Sequence, residues 1–453
     1  MAILSRSAFA FALLLGSTSL VAADAVFDAP AAFTGQVSAS GPNRSAIYPG
    51  GEVVVTGAGF APGQIVTLSR GGDLISPEGL SADAEGAFTF PLVLPPDAVI
   101  GQHPIVVEAE GPDSAAVIDL KISPRIPLSG AEHYDMASVK TAPGVYQVAF
   151  SAKNGTVFTA SATGRGDKGT SSLVKFDAKT LEKLAEAAPY FDAENGLYGA
   201  FGIAVDDENG TVWVTNTRTS SVAIYSQDDL SLVKQFPAGS VEKPRDVVID
   251  TARGRAWIST HRTRIEEFDL KSLEKLEGFE VKSAERGGQF GTMSLALDAD
   301  KGQLYTVSLR TPEVARIDLA SRETTIIPLP GAKTASGVAI DPETGRIFIA
   351  SQGSDDVIAL DAEGKVLFDT PVGAQTLNLV FDKASGQLFA ANRASDTITV
   401  VDASSGEITA NLDGGSFPNH LAISPEGVVF AVNKARGEDD AKGDHLTRIT
   451  AKH

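Results

Sequence analysis

The chain has 453 residues, with 38 lysines and arginines against 57 aspartates and glutamates, six histidines and no cysteine. A formal net charge of −19 speaks against generic binding to nucleic acid or anionic lipid. The lack of cysteine removes a disulfide framework and an acylated lipoprotein anchor, and leaves little support for a structural zinc site.

Residues 1–23 read as an export signal. Arg6 supplies the basic start, Ala8–Leu15 is a short apolar core, and Val21-Ala22-Ala23 fits a small-residue cleavage site. The core is too short to span a bilayer, and no other window is long and apolar enough. A periplasmic protein without a transmembrane segment is the expectation.

Residues 24–125 carry a charge of −8. Strands are predicted at Gln36–Ser40, Val53–Thr56, Ile65–Ser69, Ala87–Leu94, His103–Glu108 and Ala115–Ile122, separated by Gly and Pro turns. Short strands at this spacing over roughly 100 residues predict a β-sandwich. Pro124–Gly130 then reads as a semi-rigid linker.

Residues 126–453, with a charge of −12, are built on a repeat. Val338–Asp361 (VAIDPETGRIFIASQGSDDVIALD) shows the unit: an apolar run, an acidic turn closed by Gly345, a second run, a polar loop, and a third run ending at Asp361. The residue opening the first turn is Ser151, Asp206, Asp250, Asp298, Asp341, Asp382 and Ser424, at spacings of 55, 44, 48, 43, 41 and 42. A period of ~40–45 residues with four strands per unit is that of a propeller blade. The last repeat lacks a fourth strand, and Asp135–Thr141 is expected to supply it and so close the ring. The fold class expected is all-β: a seven-bladed β-propeller preceded by an Ig-like β-sandwich.

Two registers carry the functional reading. Four residues before each marker stand Gln147, Gly202, Asp246, Ser294, Gly337, Asn378 and His420, all polar or glycine, which predicts a polar ring at the mouth of the central channel. Twelve residues after the marker come Arg218, Arg262 and Arg310 in three consecutive repeats, with Arg245 at the entrance of the third. Guanidiniums gathered in one sector of an acidic protein predict an anion site, since Arg presents paired planar donors to carboxylate or phosphate. Arg218, Arg245, Arg262, Arg310, Asn378 and His420 are therefore the candidate ligand-binding residues. The competing reading makes them separate surface arginines paired with acids such as Glu313 or Asp246.

Other matches are structural. Gly164–Gly169 satisfies GxGxxG but precedes a strand, not a helix, and the embedded Arg165-Gly-Asp167 reads as chance. The acids ending third strands (Asp177, Asp269, Asp318, Asp361, Asp402) read as turn formers, and turns such as Asp298–Gly302 lack the remaining ligands of a calcium loop. No HExxH, nucleophile elbow or phosphate loop is present, and no cofactor or metal is expected.

The string GEVVVTGAGFAPGQIVTLSRGG resembles Ig-like modules of bacterial envelope proteins. Gly386–Leu412 and Pro418–Asn433 resemble YVTN-type repeats, and the ensemble with GVYQVAFS at Gly144–Ser151 resembles the exported YncE-type propellers over residues 131–453. That resemblance implies a seven-bladed scaffold and a family label of DNA binding, which the acidity of this chain opposes. The expected role is an exported, non-enzymatic binding or scaffold propeller whose partner is a small anionic ligand or an envelope protein. The alternative is a hydrolase of the lactonase type, with Asp246 or His420 as base beside Arg245.

Overall fold

The computed structural model describes residues 31–164 and 169–452. The export signal and Arg165–Asp167 lie outside the described residues. These residues form two compact units, one of 31–39, 55–90 and 104–120, the other of 40–54, 91–103 and 121–452. Among the described residues no helix is long and apolar enough to cross a membrane.

Among the described residues, two antiparallel sheets lie before residue 124. One runs Gln36–Ser40, Glu52–Ala58, Phe88–Val93; the other Asp73–Leu74, Val66–Arg70, Gly101–Ala109, Ser114–Ile122. Their strands alternate buried and exposed positions, as in Val66/Leu68 and Ile105/Val107/Ala109, because successive side chains leave opposite faces of a pleated strand. Phe88 packs between Phe60 and Phe90, with ring centroids 5.5 and 6.2 Å apart.

Among the described residues, seven further four-stranded antiparallel sheets are built from residues 134–451. The first contains Val145–Ser151, Thr156–Thr163, Thr170–Asp177 and Lys183–Ala187 in order. The later ones open with Ile203–Asp206, Pro244–Asp250, Thr292–Asp298, Ala335–Asp341, Thr376–Asp382 and Pro418–Ile423. The seventh continues through Val429–Asn433 and His445–Ala451, and its outer strand is Tyr134–Lys140, paired from His445↔Lys140 to Ala451↔Tyr134. The first strands of successive sheets adjoin, and the seventh adjoins the first. This arrangement is a β-propeller.

Second strands such as Thr211–Asn216 are buried on both faces, because each sheet is covered by a neighbour on either side. Each brings one aromatic to the inter-sheet core: Phe158, Trp213, Trp257, Tyr305, Phe348, Phe389 and Phe430. Trp213 meets Phe268 edge-on at 5.7 Å, and Phe236 meets the same ring at 5.0 Å.

The acidic turns are self-contained. Asp177 Oδ1 accepts the amides of Lys179 and Thr180, and Asp269, Asp318, Asp361 and Asp402 each accept two amides in the same manner. These carboxylates satisfy backbone donors that the turn would otherwise leave to water. The longest spacing, between Ser151 and Asp206, accommodates an extra hairpin, Phe191–Asp192 with Gly196–Leu197, which the repeat pattern did not announce.

Candidate functional site

In the third to seventh sheets the pairing of first with second strand slips just where the polar register lies, for example between Ala335 and Gly337 or Pro418 and His420. Such a bulge turns a side chain out of the pleat. Here it turns the polar residue toward the next sheet of the ring. Gln147 Oε1 accepts the Ile203 amide at 2.9 Å, Asp246 Oδ2 the Leu295 amide at 2.9 Å, and Asn378 Oδ1 the Leu421 amide at 2.9 Å. His420 Nδ1 takes the Val148 amide at 3.5 Å and completes the same bond between last sheet and first.

Glycine at this register is a steric requirement in the second sheet. A Cβ on Gly202 would stand 2.3 Å from the Arg245 carbonyl oxygen and 3.2 Å from Gln147 Oε1. Gln147 instead reaches past Gly202 and donates through Nε2 to Asp246 Oδ1 at 3.1 Å. The polar register is thus a belt of inter-sheet hydrogen bonds. Asn378 and His420, two of the residues expected to bind ligand, spend acceptors on it. Burial pushes the Asp246 carboxyl up, against the pull of the Leu295 amide and the Arg245 guanidinium. Burial also lowers the His420 imidazole to about 3, with the Arg245 charge adding to it.

One residue before the belt stand Tyr146, Phe201 and Arg245 in the first three sheets. One residue past the second strands stand Thr217, His261, Leu309, Gln352, Arg393 and Lys434. These two positions meet. Lys434 Nζ lies 3.7 Å over the Tyr146 ring centroid, and Tyr146 meets Phe201 edge-on at 4.7 Å. Arg218 lies 5.1 Å over Phe201 and donates to the Thr163 carbonyl at 3.0 Å, while Arg393 lies 5.3 Å over Phe417. Burial pushes the Tyr146 phenol up, yet the Lys434 ammonium beside it, with Arg218 and Arg393, holds it below its ordinary value. Burial lowers Arg245, the adjacent Asp246 and Tyr146 support its charge, and Arg393 opposes it. Four cations therefore surround one phenol. Among the described residues Arg245, Arg393 and Lys434 are half-buried and make no ion pair.

The remaining two arginines lie elsewhere. Arg262 is exposed and its Nε donates to Glu242 at 2.9 Å; Arg310 is exposed and donates to Gln289 Oε1 at 2.6 Å. Both line a groove of about 610 Å³ whose other walls include Glu280, Lys282 and Glu285. Their charges reach His261, whose imidazole is lowered to about 4 first by burial and then by Arg245, Arg310, Lys243 and Arg262. Of the six sequence-predicted residues, then, Arg218 and Arg245 join the inner cluster, Arg262 and Arg310 form an outer rim carrying acids, and Asn378 and His420 belong to the belt.

Tyr146, Phe201, Arg393 and Lys434 were missed by the sequence reading. The signal was present close to each chosen register, where Arg393 and Lys434 follow Asn392 and Asn433, eleven and ten residues after their markers rather than twelve. Among the described residues no group of three or more His, Asp or Glu side chains is placed to hold a metal ion, and Lys301 occupies the Asp298 turn at 3.4 Å.

No protein-family model matches the chain, and no curated protein sequence does. Two solved structures are similar in fold. Hydrazine synthase of Kuenenia stuttgartiensis superposes with a TM-score of 0.54 at 18% identity, over 65% of this chain and 94% of that one. U3-55K superposes with a TM-score of 0.57 at 10% identity, over 70% of this chain and 98% of that one. Both contain a propeller, and at these identities the likeness concerns the fold alone.

Proposed function

We propose that this chain is an exported seven-bladed β-propeller, residues 126–453, preceded by an Ig-like module, residues 24–125, and that it binds an anionic ligand on its central face without turning it over. Seven four-stranded sheets whose first strands adjoin in a cycle support the blade count. The YVTN- and YncE-like repeats and the signal-like first 23 residues support periplasmic export.

The observation that carries the ligand reading is the set Arg245, Arg393 and Lys434 beside Tyr146. Like charges brought together in partial shelter from water repel, and an acidic chain has carboxylates to spare for neutralising them. Leaving them unpaired is understandable where the counter-charge arrives with a ligand, a carboxylate or phosphate on a small molecule or envelope component. A hydrolase would need a free base here. Both Asp246 oxygens and His420 Nδ1 are already engaged in the belt, which favours binding over turnover.

The test is calorimetric titration of the mature protein with inorganic phosphate and with citrate. Sheltered charged hydrogen bonds are worth roughly 1.5–3 kcal/mol each, so Arg393→Ala or Lys434→Ala should weaken binding by about one to two decades. Arg262→Ala, which loses only an exposed pair with Glu242, should change little. Equal loss in all three variants, or no binding of either anion by the wild type, would refute the reading.

A further inference from the structure

On the face opposite the cation cluster, the seventh sheet meets the first across a groove of about 430 Å³. Its floor is apolar. Phe150 and Phe430 stack there at 5.4 Å with an interplanar angle of 13°, and Ala178 forms part of the far wall. Lys179, Glu426 and Arg448 supply its charged groups, with Glu426 exposed.

Arg448 has two counterparts in the repeat, because it pairs across the ladder with the aromatic of its second strand, Phe430. Lys175 faces Phe158 in the first sheet, and Arg316 faces Tyr305 in the fourth. Both counterparts fasten their sheet to the next. Lys175 Nζ donates to the Gln227 carbonyl at 2.8 Å, and Arg316 donates to the Ala362 carbonyl at 2.9 Å, each just past the neighbour's third strand. The matching residue for Arg448 is Ala178, which follows Asp177. Between Arg448 and that backbone lies the groove.

Arg448 makes no hydrogen bond or ion pair among the described residues, and its Nε is enclosed with no acceptor. A charged donor shut away from water without an acceptor is costly, and native structures resolve such cases with an ordered water, an ion or a ligand. The terminal N–H groups of a guanidinium match a carboxylate in two parallel hydrogen bonds. A volume of this size, apolar with one or two oriented polar groups, is that of a small-molecule site.

We infer that the seam between the seventh and first sheets binds a monocarboxylate with an apolar body, its carboxylate on Arg448 and its body on Phe150 and Phe430. A single half-buried guanidinium without a partner among the described residues, with Glu426 at the lip, suits one negative charge better than a phosphate dianion. The ligand would take the place of the missing fastening at the seam that joins the two ends of the ring, so its binding stabilises the folded chain by mass action.

The probe is 4-phenylbutyrate, titrated into the full mature chain by calorimetry and by thermal unfolding, with 4-phenyl-1-butanol as the uncharged control. Saturable binding of the acid, a rise in Tm, and about tenfold or weaker binding of the alcohol are expected. Arg448→Gln should reduce affinity for the acid at least about tenfold, Glu426→Gln should increase it, and Arg262→Ala, in its exposed pair with Glu242, should leave it unchanged. No saturation by about 10 mM acid, equal binding of acid and alcohol, or full affinity in Arg448→Gln would overturn the assignment. Should that variant fail to fold, Glu426→Gln decides, since unchanged affinity for the acid there would overturn the assignment.

Discussion

His420→Asn tests the belt at the bond that joins the last sheet to the first. Asn378 already performs the same task one sheet earlier, accepting the Leu421 amide through Oδ1. An asparagine at 420 should therefore keep the bond to the Val148 amide while removing the titration. The folded imidazole is lowered to about 3 by burial and by Arg245, while an unfolded histidine titrates near ~6.5. A histidine lowered on folding contributes fully above the unfolded value, and the contribution is lost as pH falls toward the folded one. At pH 4 about 2.5 of those units have been crossed, which at ~1.36 kcal/mol each is ~3.4 kcal/mol. Part of the ring keeps some exposure, so solvent relieves some of this and roughly 2 kcal/mol is the working figure. Urea unfolding of both proteins at pH 7.5 and pH 4 measures it. Wild type should lose roughly 2 kcal/mol more than His420→Asn on acidification, because every other titrating group is common to both. A general cost of the substitution would appear equally at both pH values. Equal losses on acidification would show that His420 takes up its proton as freely as in the unfolded chain, and the belt would not hold it as described.

Gly202→Ala should destabilise by roughly 1–3 kcal/mol in urea unfolding, since the new methyl meets a backbone carbonyl that cannot move aside; a neutral result would mean the ring yields there. In this cysteine-free chain, Ser138→Cys with Thr447→Cys places two thiols directly opposite on the paired terminal strands, where the native hydroxyls are 2.8 Å apart. Oxidation should raise Tm and reduction restore it, because the bond closes nearly the whole propeller chain, worth up to about 5 kcal/mol in the chain-entropy view; failure to cross-link would remove Tyr134–Lys140 from the seventh sheet. Asp356 is raised to about 8 by burial and then by neighbouring Asp369, so its folded form keeps a proton that the unfolded chain releases near ~4. Stability should therefore fall as pH rises from about 4 to about 8, and Asp356→Asn should flatten that slope in thermal unfolding; an unchanged slope would show the carboxyl to be ionised throughout.

The strands and acidic turns were legible because their causes are local. Alternating apolar runs, an aspartate that accepts its own turn's amides, and a glycine in left-handed backbone such as Gly345 (φ 75°) or Gly386 (φ 68°) all leave a mark within a few residues. The hairpin of Phe191–Leu197 left only an unusual spacing, since two-residue strands have no period to detect. The polar register was legible as a position, but its inter-sheet hydrogen bonds were not. A pattern of polar residues shows that something meets them, not whether it is a ligand or an amide of the next sheet. The bulges that aim Asn378 and His420 sideways have no signature of their own in residue type. The arginine register gathered residues that part in space, with Arg218 beside Phe201 and Arg262 and Arg310 on the rim. Side-chain direction past a strand end no longer follows the strand's alternation, so Arg393 and Lys434 reach Tyr146 while Arg262 and Arg310 reach the rim.

What distinguishes the central face is departure from a repeated frame. Inner strands in a propeller place equivalent positions at equivalent radius, so a charge placed at one register is near every other charge placed there. In the fourth and fifth sheets the two inward positions hold Met293 with Leu309 and Ser336 with Gln352, none of them charged. The sixth, seventh, first, second and third sheets hold Arg393, Lys434, Tyr146, Phe201 and Arg245, with Arg218 beside Phe201. The belt beneath is indifferent to this difference, because its bonds use backbone amides of Val148, Ile203, Leu295 and Leu421 rather than charged side chains. Stability and the proposed anion binding thus rest on adjacent residues but in separable terms. A substitution at Arg393 or Lys434 touches no belt hydrogen bond, whereas one at Gln147, Asp246 or Asn378 breaks one and leaves a buried amide without an acceptor. Loss of binding with full stability is therefore the mark of the cation cluster, and loss of stability first is the mark of the belt.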